Sequence, residues 1–197
     1  MISIPNAFMK IRRSLFLLAS LALTLPAVRA TTVIPPTFDQ LVSQAEMIFQ
    51  GTVTDLRPQW AGVGAERHIV TLVTFKVDDA IKGSLGESYT IRMFGGALDG
   101  QMMEATDTPR FKLGDRDILF VENNGTQFVP LVGIMHGRFR IQKEAGGREV
   151  ISKDNGAPVA DVAKLGLDEK AATTGQVLST VEFKAAIRQK LAPSAAK

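Results

Sequence analysis

Alternating apolar and polar positions through the middle of the chain predict a mainly β protein. Apolar side chains recur at every second position in short runs rich in β-branched and aromatic residues, as expected for strands with one face on a core. The predicted strands are 47–54, 68–77, 88–94, 117–123, 126–132, 137–142 and 148–152. Turn signals separate these runs and no strand–helix–strand rhythm is present, which favours an antiparallel barrel or sandwich.

Two tight turns and one loop are predicted between the strands. Asn124-Gly125 and Gly146-Gly147 both stand between strand-like runs, where such pairs form hairpin turns. The segment 58–66 is expected to be a loop, and its Trp60 is expected to fold back as a plug over the barrel or to serve as a contact residue.

A helical period appears once before the strands and once after them. Thr37 and Gln40 have the spacing of a capping box and precede an apolar stripe, which predicts a helix over 38–46. Ser179 and Glu182 repeat the signal and predict a C-terminal helix over 179–192. The intervening 153–178, rich in Gly, Ala, Thr and charge, is expected to be a linker, and 193–197 a disordered tail.

The N-terminal thirty residues have the pattern of a signal peptide. Lys10, Arg12 and Arg13 precede the apolar run 14–25, which is too short to span a bilayer comfortably. Small residues around Ala30 offer a cleavage site, so we expect 1–30 to be removed. The predicted protein is exported, either periplasmic or secreted, with no stable membrane insertion after cleavage.

Removal of that segment changes the charge of the chain. Its four basic residues and no acidic residue are lost, so 23 basic residues become 19 against 20 acidic ones, a formal net charge of −1. A near-neutral exported chain is not expected to bind nucleic acid, because such binding needs many cationic contacts to phosphate. The chain has no cysteine, so neither disulfides nor thiol chemistry are available.

The segment Gly95–Gly100 is the strongest candidate for a phosphate-binding loop. Such a loop needs a helix directly after its glycines, so that free N–H groups meet the anion. Here a non-helical run containing Thr108-Pro109 follows. The glycines are therefore expected to belong to a long connection between the third and fourth strands.

Other candidate chemistry is sparse. His68 and His136 are distant in sequence, and each is expected to be a surface or hydrogen-bonded structural residue. Asp115 and Asp117 alternate on a strand and are expected to mark a solvated turn. No set of nucleophile, base and acid is recognisable in the body of the chain, so we predict no catalytic residues, no cofactor and no metal site of its own.

The mature N-terminus resembles that of the tissue inhibitors of metalloproteinases and related netrin-type domains. Those proteins begin with cysteines around a proline pair, then a short helix and an apolar strand. Pro35 and Pro36 match the proline pair, whereas Thr31, Val33 and Ser43 stand where the cysteines would be. The residues 79–85 (DAIKGSL) are similar to a turn of the family, and an exported bacterial branch without the cysteines fits this pattern.

The resemblance implies a fold and a mechanism. The fold is a five-stranded antiparallel OB-type barrel, here over 31–152, with a short N-terminal helix. In the family the α-amine and carbonyl of the first residue chelate the zinc of a protease, and the second side chain enters its specificity pocket. These roles would fall to Thr31 and Thr32 on an arm stiffened by Pro35 and Pro36.

Two functions follow from the sequence. The first is an exported, non-catalytic binding or scaffold module of unknown ligand. The alternative is an inhibitor or partner of an exported zinc metalloprotease, acting through the N-terminal arm.

Overall fold

A computed structural model describes residues 34–192, so the predicted signal peptide, Thr31, Thr32 and the predicted tail lie outside it. The protein is mainly β, as predicted. Its helices are α1 (Phe38–Gln44), α2 (Glu169–Thr173) and α3 (Thr180–Leu191). Its strands are β1 (Met47–Ala61), β2 (His68–Lys82), β3 (Ser88–Phe94), β4 (Gly96–Leu98), β5 (Gln101–Met103), β6 (Arg116–Val121), β7 (Arg138–Lys143) and β8 (Glu149–Lys153).

Six strands form one antiparallel sheet in the order β3-β2-β1-β6-β7-β8, and β4 pairs only with β5. Within residues 34–192 no pairing joins the edge strands β3 and β8, so the predicted closed five-stranded barrel is wrong. The free edge of β3 is occupied instead by a loop, because Phe94 donates its backbone N–H to the Phe128 carbonyl at 2.7 Å. An irregular segment around Phe128, rather than another strand, therefore lies along this edge of the sheet.

Both faces of the central sheet are buried, which explains the continuous apolar run in β6. Ile118 and Phe120 point to one face and pack against the helices, forming the helix-side core. Leu119 and Val121 point to the other face, where they join Phe49 in the second cluster, the hairpin-side core. A strand segment between two apolar cores carries apolar side chains on both faces, as 118–121 does.

Both predicted helices are observed, and both begin with the predicted capping box. In α1 the Thr37 side chain accepts from the Gln40 N–H, and in α3 the Ser179 side chain accepts from the Glu182 N–H. The apolar stripe of α3 then places Phe183 in the helix-side core, where its ring lies 4.8 Å from that of Phe139.

The segment 153–178 differs from the expected linker. It contains a 3-10 turn and α2, and it buries Val159, Leu165 and Ala172 in the helix-side core. It also hydrogen-bonds the edge of β8, since Val159 donates to the Ile151 carbonyl at 3.1 Å. The segment is mostly polar, so its composition does not indicate that three of its apolar residues are buried in the core.

The structure also corrects the predicted loop 58–66 and the predicted strand 126–132, and it confirms one of the two predicted hairpins. The expected loop 58–66 is shorter, because β1 continues through Trp60 to Ala61 in register with β2. The expected strand 126–132 and its hairpin at Asn124-Gly125 are absent from the described chain. Only a single bridge, between Val121 and Leu131, remains there. The hairpin at Gly146-Gly147 is confirmed between β7 and β8.

Candidate functional site

The glycine-rich segment that follows β3 forms a small hairpin rather than an open connection. Asp99 and Gly100 both have positive φ angles, 51° and 74°, as a two-residue turn of type I′ requires. Gly95 and Gly96 bring the hairpin close to the sheet. A Cβ on Gly95 would lie 2.6 Å from the Met103 carbonyl oxygen, and one on Gly96 would lie 2.4 Å from Thr71 Oγ1. The glycines therefore serve turn geometry and close packing.

The hairpin is fastened to the large sheet by side chains. Trp60 donates its Nε1–H to Asp99 Oδ2 at 2.8 Å, which holds the turn against β1. The guanidinium carbon of Arg67 lies 4.1 Å from the centre of the Trp60 ring. At the base of the hairpin, Thr71 Oγ1 donates to the Gly95 carbonyl at 2.7 Å. The hairpin thus has a defined position over the sheet.

A cavity of about 290 Å³ lies between this hairpin, the sheet and the segment 104–111; we call it the hairpin cavity. It continues from the hairpin-side core, so its floor is apolar. The principal apolar lining residues are Leu56, Val73, Met93, Met102, Met103 and Phe111. Concave apolar sites with a few polar groups are the usual form of small-molecule binding sites.

Two charged residues stand among the described residues that line the cavity, and they pair with each other. Arg110 Nη2 lies 2.5 Å from Glu104 Oε2. The Arg110 side chain is largely exposed to solvent and that of Glu104 is nearly half exposed, which places the pair at the mouth of the cavity rather than on its floor. The mouth therefore offers one positive and one negative group to a ligand.

A buried ion cluster lies behind the wall of the cavity; we call it the Arg138 cluster. The Arg138 side chain is 1% exposed, and its guanidinium pairs with Asp115, Asp117 and Asp154 at 2.7, 3.0 and 3.1 Å. Arg138 Nη1 also donates to the Arg110 carbonyl at 2.7 Å. Asp115 Oδ2 in turn accepts the backbone N–H of Lys112 at 2.9 Å. These two bonds hold the segment that forms one wall of the hairpin cavity.

The expected solvated turn at Asp115 and Asp117 is therefore wrong. Burial raises the pKa of Asp117 to about 6, against the lowering effect of the adjacent Arg138. For Arg138, burial alone would lower the pKa, but Asp117 and Asp115 hold it above its ordinary value. One cation shared among three carboxylates leaves the Arg138 cluster short of positive charge.

The histidines stay apart from each other. His68 Nδ1 lies 2.8 Å from the Glu66 carbonyl oxygen, and its ring stacks on Phe94. His136 lines a second cavity of about 70 Å³, and burial lowers its pKa. Across residues 34–192 no group of three or more potential ligands is arranged to hold a metal ion.

The proline pair of the N-terminal arm lies at this second cavity. A Cβ on Gly133 would lie 2.9 Å from Pro36 Cδ, and one on Gly166 would lie 2.5 Å from the Pro36 carbonyl carbon. Pro36 is therefore held between two glycines, and Pro35 lines the cavity beside it. Thr31 and Thr32 lie outside the described residues, so their predicted roles stay predictions.

Sequence reasoning missed both the hairpin cavity and the Arg138 cluster. The dipeptide Asp99-Gly100 is a signal for a type I′ turn and points to the hairpin. No local signal points to Arg138, because its partners at Asp115 and Asp117 are 23 and 21 residues away in sequence.

Comparison of the chain with protein families, with curated proteins and with solved structures finds no match. The helices within residues 34–192 are too short or too polar to cross a membrane.

Proposed function

We propose that this protein is an exported, non-catalytic binding module that holds a small, mostly apolar molecule in the hairpin cavity. The observation that carries the proposal is the cavity itself: about 290 Å³ with an apolar floor beneath a fastened hairpin. A concave, mostly apolar space that is partly open to solvent has the form expected of a small-molecule site.

The volume sets the size of the ligand. An apolar cavity of about 150 Å³ admits benzene, with its six carbon atoms. A cavity of about 290 Å³ therefore accommodates a molecule of about a dozen non-hydrogen atoms. That size corresponds to a medium-length aliphatic chain or a small ring with a substituent.

The lining supports a ligand that is selected by shape and apolar character. Met93, Met102 and Met103 all border the cavity. Methionine side chains are flexible and polarisable, so they adapt to ligands of different outline. The hairpin that carries two of them is small, and its movement would open the cavity.

The lining also favours binding over catalysis. The two hydroxyl groups that border the cavity belong to Thr71 and Thr108. Each donates to a backbone carbonyl, of Gly95 and Ala105 respectively, at 2.7 and 2.8 Å. A nucleophilic hydroxyl instead needs an adjacent general base.

Calorimetric titration with linear alcohols from hexanol to decanol tests the proposal. We expect affinity to rise about fourfold for each added methylene, from about 0.8 kcal/mol of apolar transfer, until the cavity is full. Ala97 is an exposed residue of β4 that borders the cavity, so Ala97→Phe should obstruct its opening and weaken binding at least tenfold. Val181→Phe, on an exposed position of α3, is the matched control. Absence of binding to the wild type, or equal loss in both variants, would contradict the proposal.

A second candidate function follows the resemblance to the netrin-type inhibitors. The packing of Pro36 against Gly133 and Gly166 favours it, because this packing holds the base of the arm without disulfides. Pre-organisation of that kind lowers the entropy lost on binding. In this candidate Thr31 supplies the α-amine and carbonyl to a partner's zinc, and Thr32 supplies the pocket side chain.

The test of the second candidate compares two N-termini. A panel of exported zinc endopeptidases is assayed with the chain that begins at Thr31 and with a form extended by one residue. Only the first form should inhibit, because the extension removes the chelating α-amine from its place. If neither form inhibits at micromolar concentration, or both do so equally, the arm is not a zinc ligand.

A further inference from the structure

We infer that the ligand of the hairpin cavity carries a carboxylate, and that Arg110 binds this carboxylate at the mouth by displacing Glu104. The inference rests on the proposed binding function and assigns the ligand's chemical class: a small monocarboxylic acid with an apolar body.

The Glu104–Arg110 pair is easily exchanged. The exposed fractions of the two side chains are 75% for Arg110 and 45% for Glu104. Exposed ion pairs contribute little to stability, because water competes for both groups. A ligand carboxylate, with the same charge as Glu104, can therefore take its place on Arg110, while the Glu104 side chain turns to solvent.

The backbones of the two members are held by different parts of the fold, Arg110 by the buried Arg138 and Glu104 by the hairpin. The Arg110 carbonyl accepts from Arg138 Nη1 at 2.7 Å, and Arg138 is itself fully buried. The next residue, Phe111, has its ring 4.2 Å from the Arg138 guanidinium carbon. The backbone of Arg110 is thus held at the cavity wall, whereas Glu104 follows the end of the small hairpin. Arg110 is the partner expected to receive the ligand.

The chemistry of Arg110 selects the anion. A guanidinium presents paired N–H donors whose spacing matches a carboxylate, and this bidentate geometry adds specificity to the charge. Phe111 and the apolar floor border the inner side of the mouth, whereas the Arg110 side chain remains open to solvent. The apolar body of the ligand then lies beneath the hairpin with its carboxylate at the opening.

Three probes of equal chain length test the inference: decanoate and decylamine below their critical micelle concentrations, and decanol below its solubility limit. With wild-type protein at pH 7.5, decanoate should bind at least tenfold more tightly than decanol, and decylamine more weakly than either. Arg110→Gln should weaken decanoate binding about tenfold and leave decanol unchanged. Glu104→Gln should strengthen decanoate binding severalfold, because the competing carboxylate is gone.

A matched control separates local binding from general attraction. Arg57→Gln removes another exposed arginine that pairs with a carboxylate, Asp55, away from the cavity mouth. This variant should bind decanoate as the wild type does; a loss equal to that of Arg110→Gln would overturn the inference.

The outcomes distinguish this inference from the proposed function. If none of the three probes binds, the proposed function fails and the inference fails with it. If decanol binds as tightly as decanoate, the cavity function stands and the carboxylate assignment is wrong. If decylamine binds most tightly, Glu104 rather than Arg110 recognises the ligand, and the inference is again overturned.

Discussion

Arg138 illustrates, at the scale of one residue, how a buried charge can organise a surface site. Its guanidinium pairs with Asp115, Asp117 and Asp154, and it also binds the carbonyl that precedes Phe111. Replacing a buried ion cluster by apolar groups is often tolerated, whereas removing one partner leaves uncompensated charge. Arg138 is therefore the position where a single substitution should disturb the cavity wall most.

We expect Arg138→Ala to lower the free energy of unfolding by about 3–5 kcal/mol at pH 7.5, because it leaves the buried Asp117 without a cation. The loss should be smaller at pH 5, where a protonated Asp117 needs no counter-charge. Urea denaturation at the two pH values measures both effects. Arg57→Ala, in an exposed pair, should change stability by less than about 0.5 kcal/mol; an equal effect of the two substitutions would show that the buried cluster is not special.

Asp117 itself gives the protein a defined pH dependence. Burial raises its pKa in the folded state to about 6, above the ordinary value of 3.8. Between those values the folded state holds a proton that the unfolded state has released, so this contribution to stability decreases as pH rises through the interval. The decrease amounts to at most about 3 kcal/mol. Asp117→Asn should remove it, which the difference between the two pH–stability curves measures; parallel curves would contradict the assignment.

At the scale of the elements, the attachment of α3 to the sheet depends on the packing of its apolar face. Its exposed face is tied by ion pairs, including Lys184 and Arg188 to Asp79 at 2.9 and 2.8 Å. Its buried face inserts Phe183 among the rings of Phe38, Phe120 and Phe139. Exposed or partly exposed pairs add little, so the aromatic contacts hold the helix on the sheet.

We expect Phe183→Ala to lower the free energy of unfolding by about 3–5 kcal/mol, through lost apolar transfer and a residual cavity. Val181→Ala, two residues earlier on the exposed face, should change it by less than about 0.5 kcal/mol. Chemical denaturation of the two variants provides the comparison. Similar stability of both would mean that α3 contributes little to the helix-side core.

Local patterns predicted the elements whose structure is decided locally. The capping boxes of α1 and α3, the alternation of β3 and the turn between β7 and β8 all depend on residues within a few positions of each other. The segment 126–132, predicted as a strand, is instead irregular. Its apolar residues satisfy the hairpin-side core, but its backbone binds the edge of β3, so alternation there does not mean strand pairing.

The extension of β1 past Pro58 also escaped prediction. Proline usually marks a strand end or an edge because it lacks an N–H donor. Here Pro58 lies opposite Thr71, and β2 continues alongside β1 as far as Ala61. β1 extends to Trp60 because β2 is long enough to pair with it there, and no local signal in β1 encodes that length. The extension places the Trp60 ring beside the hairpin.

For the molecule as a whole, the sheet has two edges and both are covered. Asn124 Oδ1 accepts the Arg92 N–H of β3 at 3.0 Å, and its Nδ2 donates to the Thr90 carbonyl at 2.8 Å. The segment around Val159 does the same for β8. Covered edges resist pairing with other chains, which would suit the passage across a membrane that the proposed export requires.

That passage is itself a testable expectation. Full-length protein expressed with an active export pathway should yield a mature chain that begins at Thr31, because the apolar run and the small residues before the cleavage site satisfy the signal peptidase pattern. N-terminal sequencing of the exported fraction measures this. Recovery of exported protein that retains residues 1–30 would contradict both the cleavage site and the role assigned to Thr31.

The bond between Trp60 and Asp99 also gives the protein an internal optical probe. Trp60 is the sole tryptophan of the chain, and its indole N–H is tied to the turn of the hairpin that covers the cavity. Indole emission depends on the polarity around the ring and on that hydrogen bond. Any ligand that lifts or tightens the hairpin therefore changes the intrinsic fluorescence of the native, unlabelled protein, and the movement of the hairpin can be followed in real time.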